Sequence, residues 1–87
     1  MNEDSTVLDY YRSMARASRA MLHAARGDDW DEVVRLERDC AAMVAHLKAM
    51  GDGSARLSTA ERDQKVDLIR AILADDAAIR ELAEPWL

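Results

Sequence analysis

The strongest constraint on this chain is the spacing of its apolar and small residues in two segments of similar length, 7–26 and 29–50. In both, such residues recur every three or four positions, which is the period of one face of an α-helix. Only a short Gly27-Asp28 link separates the segments, so we expect them to form an antiparallel helical hairpin. The positions are Val7, Tyr11, Met14, Ser18, Met21 and Ala25, then Val33, Leu36, Cys40, Met43, Leu47 and Met50.

Turn and capping residues set the predicted limits of this hairpin. Ser5 or Thr6 is the predicted N-cap of the first helix, because a short hydroxyl side chain can accept a hydrogen bond from a free backbone N–H there. Gly27 is the predicted residue in the left-handed conformation just after that helix. Asp29 and Glu32 have the spacing of a capping box that opens the second helix.

A third helix is predicted over 59–84, after a glycine-containing loop at 51–54. Ser58 and Glu61 form a second capping-box pattern at its start, and Pro85 is expected to end it. Because this helix has a polar first part, we expect that end to project into solvent. Its large apolar residues are Leu68, Ile69, Ile72, Leu73, Ile79 and Leu82.

Composition agrees with a single helical domain over residues 1–87. The chain has 33% charged residues, no Phe, three Gly and one Pro, which favours helices over sheets. Its one cysteine, Cys40, excludes an intramolecular disulfide. We therefore predict an all-α fold, an antiparallel helical hairpin plus a third helix in a three-helix bundle. Because only Trp86 and Leu87 follow Pro85, we also expect this bundle to lack a further C-terminal helix.

Charge and hydropathy exclude several classes of function. A net charge of −5 and a pI near 4.9 argue against general affinity for nucleic acid or for an anionic membrane. The first residues, Met1 to Asp4, are acidic where a signal peptide would be basic. The longest apolar run, Cys40 to Ala45, is far shorter than the ~20 residues of a membrane-spanning helix. We expect a cytoplasmic protein.

No group of residues has the spacing of an enzyme or metal site. His23 and His46 lack a carboxylate three or four residues away on the same helix face, so each is expected to face solvent. Cys40 lies on an apolar helix face, which indicates a buried, unreactive thiol. We therefore expect no catalytic residue, no cofactor and no metal.

The sharpest polar pattern is a row of cationic residues along the first helix. One interpretation is a docking strip for an acidic partner or a phosphate backbone. The interpretation we favour is a solvated face whose arginines pair with acids on neighbouring helices. Asp75 and Asp76 interrupt the apolar face of the third helix, and we expect one of them to pair with a first-helix arginine. The row is Arg12, Arg16, Arg19, His23 and Arg26.

Two stretches of the chain resemble the FliT-type flagellar export chaperone family, and the likeness extends from about Leu8 onward. In the hairpin it is carried by Met21-Leu22, Ala25, Gly27, Trp30-Asp31, Val34 and Leu36-Glu37. In the third helix and its exit it is carried by Ile69-Arg70, Ile72-Leu73, Asp75-Asp76, Ile79-Arg80 and Pro85-Trp86-Leu87.

The resemblance implies a small cytosolic helical chaperone of flagellar type III export, without catalysis or cofactor. Such a protein binds the C-terminal region of the filament-cap protein, keeps it unassembled and delivers it to the export apparatus, including export ATPase components. Some relatives also bind the flagellar master transcription activator. Two alternatives therefore remain: a regulator that binds this activator, and a helical dimerisation module that forms a homodimer without chaperone activity.

We predict that the partner binds as a helix in an apolar groove. Periodicity places the groove floor on the second and third helices, and the resemblance adds a surface position of the third helix that the family uses for partners. The periodicity residues are Met43, Leu47, Leu68 and Ile72, and those added by resemblance are Ile69 and Arg70.

Overall fold

The computed structural model describes residues 3–51 and 57–84, and the side chains of 7–51 and 57–84. This part of the chain forms three helices, which confirms the all-α prediction. None of the described helices is long and apolar enough to cross a membrane. The helices are α1 (Glu3–Arg26), α2 (Trp30–Met50) and α3 (Thr59–Ala83).

Helix α1 lies between the other two helices and holds the structure together. It packs extensively against both α2 and α3, whereas α2 and α3 make little direct contact with each other in the described residues. α3 runs parallel to α1, because Arg12 bonds to Gln64 and Arg19 pairs with Asp75 further along both helices. The buried apolar residues are Val7, Leu8, Leu22 and Ala25 of α1, Val33 and Leu47 of α2, Leu57 before α3, and Ile79 of α3.

The start of α1 differs from the prediction. The helix begins at Glu3, so Ser5 and Thr6 lie inside it and the predicted N-cap is wrong. The sequence has no Gly or Pro near Glu3 that would stop the helix from extending beyond its apolar face.

The turn between α1 and α2 also differs in one residue. The left-handed residue is Asp28, with φ 63°, and not Gly27 as predicted. The backbone N–H of Asp29 donates to the Ala24 carbonyl at 2.8 Å, which is the bond that closes a Schellman turn around Asp28. Aspartate tolerates this conformation better than most residues. Its carboxylate also accepts a hydrogen bond from Trp30 Nε1 at 2.8 Å, which ties the turn to α2.

The two predicted capping boxes form to different extents. Asp29 accepts from the Glu32 N–H at 3.3 Å, but the Glu32 carboxylate bonds to Arg35 instead of reaching back. That hydrogen bond to Arg35 lowers the pKa of Glu32. At α3 the box is complete, with Ser58 N–H to Glu61 at 3.0 Å and Glu61 N–H to Ser58 at 3.1 Å. The hydrogen bonds from Ser58 lower the pKa of Glu61.

Gly51 ends α2 in the left-handed conformation, with φ 76°, and its N–H donates to the carbonyls of Leu47 and Lys48. Most residues with a Cβ would be strained at this φ, which glycine adopts freely. The rest of the predicted loop over 51–54, and the predicted exit from α3 at residues 85–87, lie outside the described residues.

The contact between α1 and α3 includes one buried charged group. Asp75 is only 4% exposed, accepts a hydrogen bond from Ser18 Oγ at 2.9 Å and pairs with the Arg19 guanidinium at 3.3 Å. This confirms the expected pairing of an α3 acid with a first-helix arginine. Asp76 points outward and pairs with Arg80 of its own helix at 3.0 Å. Because a buried carboxylate needs its partners, Asp75 sets the position of α3 along α1.

We expect Arg19→Ala to lower the free energy of unfolding by about 1–2 kcal/mol, because Asp75 would keep only the Ser18 hydroxyl as a partner. Solvent screening of the exposed guanidinium limits the effect. Urea denaturation followed by helical circular dichroism measures it. The control is Arg16→Ala, which removes an exposed arginine that pairs with no carboxylate among the described residues and should cost less than about 0.5 kcal/mol. Equal losses in the two variants would contradict the role given to Asp75.

Candidate partner-binding groove

A groove runs between α2 and α3, with α1 as its floor. It exists because both flanking helices pack on α1 and little on each other. Its volume is about 540 Å³. The lining residues are Ser18 and Met21 from α1, Trp30, Val33, Val34, Glu37 and Cys40 from α2, and Ile72, Leu73, Asp76, Ile79, Arg80 and Ala83 from α3.

The two walls of this groove carry large apolar side chains that remain in contact with water. Val34 of α2 is 47% exposed and Leu73 of α3 is 61% exposed. The α3 wall extends from Ile72 to Ala83, which is about 16 Å along a helix. An open apolar groove of this length fits about three turns of an amphipathic helix.

Polar groups lie mostly at the edges of the groove. The Ser18 hydroxyl in the floor donates to Asp75. On the α3 edge, Asp76 and Arg80 form an ion pair, and both side chains are at least half exposed. A partner would therefore be held chiefly by apolar contact with the two walls, with charged groups acting at the edges.

Cys40 is half-buried in the α2 wall of the groove, and not fully buried as predicted. Partial burial raises the pKa of its thiol, and the neighbouring carboxylates of Asp39 and Glu37 raise it further. The thiol is therefore a poor nucleophile, but it is placed where an occupant of the groove would cover it.

The residues predicted for the groove floor are not brought together. Ile72 lines the groove, as expected. Leu47 is buried and instead lines a second cavity of about 400 Å³ between α1 and the end of α2. Met43 is half-buried and lines neither cavity. The reason is that α1 lies between α2 and α3, so one part of the α2 apolar face packs on α1 and only the other part faces the groove.

The other predicted site residues lie on α3 before the groove begins. Leu68 and Ile69 are half-buried, Arg70 is exposed, and none of them lines the groove. Ile69 precedes Leu73 by about one turn on the same side of α3, so it continues the apolar wall toward the N-terminal end of the helix. The partner-binding role of these residues stays a prediction.

The site prediction omitted Val34 and Leu73, the most exposed apolar residues of the groove. A signal for Leu73 was present in the sequence. Leu68-Ile69 and Ile72-Leu73 are adjacent apolar pairs, and neighbouring residues on a helix point about 100° apart. Such pairs make an apolar face too wide to be covered by one neighbouring helix. One member of each pair therefore points away from that helix, toward solvent or a second surface.

We expect Cys40 to react with Ellman's reagent roughly tenfold more slowly at neutral pH in the folded protein than in the same protein unfolded in urea. The raised pKa leaves less thiolate, and the groove wall hinders access. The rate in the folded protein should increase as the pH rises through that raised pKa. Equal rates in the folded and unfolded protein would show that the thiol is neither covered nor perturbed.

Both the sequence and the fold of this chain match known proteins. The family model described as "Flagellar protein FliT" matches residues 8–87 of this chain. The fold is similar to the crystal structure of flagellar protein FliT from Bordetella bronchiseptica, with a TM-score of 0.80 and 35% sequence identity. That match covers 92% of this chain and 89% of the Bordetella chain. Among curated proteins, none matches significantly.

Proposed function

We propose that this chain, which belongs to the FliT family of flagellar proteins, acts in the cytoplasm as an export chaperone and not as an enzyme. Its substrate is the C-terminal region of the filament-cap protein. The chaperone binds that region as a helix, keeps the cap protein unassembled and delivers it to the export apparatus. This role needs binding and release only, without a cofactor.

The observation that carries the proposal is the open groove between α2 and α3. Val34 and Leu73 stand on opposite walls of it, and both are about half exposed. An amphipathic helix laid on the α1 floor would contact both walls at once. Its own apolar face would then be covered, which is how a chaperone prevents its substrate from associating prematurely.

The apolar contact is large enough to matter for affinity. Complete burial of a Val or Leu side chain contributes about 1.5–3 kcal/mol, so covering the exposed half of each contributes about 1 kcal/mol. Val34 and Leu73 together then add about 2 kcal/mol, or roughly thirtyfold in affinity. Loss of Leu73 alone should be measurable in a titration.

We expect Leu73→Gln to weaken binding of a peptide from the cap protein's C-terminal region by roughly tenfold, because a polar amide would replace the most exposed apolar contact of the groove. Isothermal titration calorimetry measures the change. The matched control is Val66→Gln, which alters another exposed apolar residue of α3 that does not line the groove. It should leave the affinity within about twofold.

The same titration can report where the peptide binds. A peptide in the groove should slow the reaction of Cys40 with Ellman's reagent, because Cys40 lies in the groove wall. Absence of binding by the unaltered protein at micromolar peptide would contradict the cap-protein role. In a pull-down that offers both proteins, retention of the flagellar transcription activator in place of the cap protein would support the regulator alternative.

A separate prediction concerns Ile69 and Arg70, which lie just before the α3 wall and which the resemblance to the FliT family assigns to partner binding. Ile69→Ala combined with Arg70→Ala should weaken peptide binding severalfold while the helical circular dichroism stays unchanged. The matched control is Arg62→Ala with Val66→Ala, which changes the same residue class one to two turns earlier in α3. A loss of helical signal in the first variant would show instead that Ile69 belongs to the core.

A further inference from the structure

A row of cationic side chains extends along the outer side of α1. All of them are exposed, and Arg12 to Arg26 spans about 21 Å along the helix. The core-facing side of α1 carries Ser18, Leu22 and Ala25, so the row and the floor of the groove are on different sides of the same helix. We call Arg12, Arg16, Arg19, His23 and Arg26 the cationic row.

Carboxylates within the protein neutralise only part of the cationic row. Arg12 pairs with Asp9 of its own helix at 3.2 Å, and Arg19 pairs with the buried Asp75. Among the described side chains, Arg16 donates to the Ser13 hydroxyl alone, at 3.1 Å. Within the described residues Arg26 has no ion-pair partner. The expected pairing with neighbouring acids thus leaves two guanidinium groups, those of Arg16 and Arg26, available to another molecule.

The surroundings of the row favour a protein partner over nucleic acid. The chain carries a net charge of −5, while segment 7–26 carries four arginines against one aspartate. A nucleic acid or an anionic membrane is negatively charged over its whole surface. On contact it would also approach the acidic residues of α2 and α3, which would repel it. A partner with carboxylates along one line would meet the cations alone.

We propose that the cationic row binds an acidic helix of a second protein. The row has a spacing of four and three residues, so carboxylates repeated every three or four residues on a partner helix could face it along its length. Arg16 and Arg26 supply the main contacts, because a guanidinium can bind a carboxylate with two hydrogen bonds. The inference does not depend on the proposed function, since this surface and the groove can be occupied together.

α3 carries two small exposed side chains close in sequence to the residue that Arg19 meets. Ala71 and Ala74 precede Asp75 on α3, and both are exposed. Asp75 is the residue that Arg19 meets, and Ala71 lies about one turn before it on the same side of α3. Small residues let two helices approach closely, which shortens the distance that the arginine side chains have to span.

The test uses a labelled alanine-based helical peptide with glutamates spaced alternately four and three residues apart. A peptide with glutamine in place of each glutamate is the matched probe. Fluorescence anisotropy at low salt, about 0.05 M, should show binding of the glutamate peptide only. The affinity should fall severalfold when salt is raised to about 0.3 M, because exposed ion pairs are screened.

The variant Arg16→Gln/Arg26→Gln should bind the glutamate peptide roughly tenfold more weakly. The control, Arg38→Gln/Arg62→Gln, removes the same charge from two exposed arginines of α2 and α3 that have no ion pair within the described residues. It should change the affinity by less than about twofold. Circular dichroism checks that both variants remain helical.

Several outcomes would overturn the proposal. Equal losses in the two double variants would show a general charge effect and no defined surface. Equal binding of the glutamine peptide would show apolar recognition. Tighter binding of a single-stranded oligonucleotide, lost in Arg16→Gln/Arg26→Gln, would assign the row to nucleic acid. Leu73→Gln should leave the affinity unchanged, and a loss there would place the acidic peptide in the groove instead.

Discussion

The arrangement of this protein depends on α1 serving as the packing partner of both other helices. A chain of 87 residues can bury only about 60% of the surface that it exposes when unfolded, so its core is thin. Of the buried apolar residues that the structure describes, half belong to α1. α2 and α3 bury their apolar residues against that helix, and little apolar surface is left to hold them against each other. The open groove is a direct consequence of this packing.

The groove is therefore a place where folding leaves apolar surface exposed. Val33 and Ile79 come from opposite walls and meet Leu22 and Ala25 in one buried cluster. This cluster holds the two walls near the α1–α2 turn. Just outside it, Val34 and Leu73 remain in water. The same contacts that stabilise the fold thus present a preformed apolar surface, and a preformed surface costs a partner less ordering entropy than one that must rearrange.

Much of the fold could be predicted from the sequence, but the arrangement of the helices could not. Periodicity and capping residues indicated the hairpin and the start of α3 at Ser58. The break that Asp75 and Asp76 make in the apolar face indicated that one of the two pairs with an α1 arginine. Periodicity shows which side of a helix is apolar, but it does not show which neighbour covers that side. Leu47 and Leu73 both belong to apolar faces, yet Leu47 is 6% exposed and Leu73 is 61% exposed. The difference depends on where α1 lies, and that is set by contacts distant in sequence.

The buried Asp75 explains why the two proposed surfaces can remain separate. Ser18 lies in the floor of the groove, Arg19 belongs to the cationic row, and both bind Asp75. A ligand carboxylate that drew Arg19 away would leave Asp75 buried with the Ser18 hydroxyl alone, which costs free energy. An acidic partner therefore gains more from Arg16 and Arg26, whose binding leaves the core unchanged. Arg19 holds α3 in place, and the arginines on either side of it are the ones that the fold leaves available for recognition.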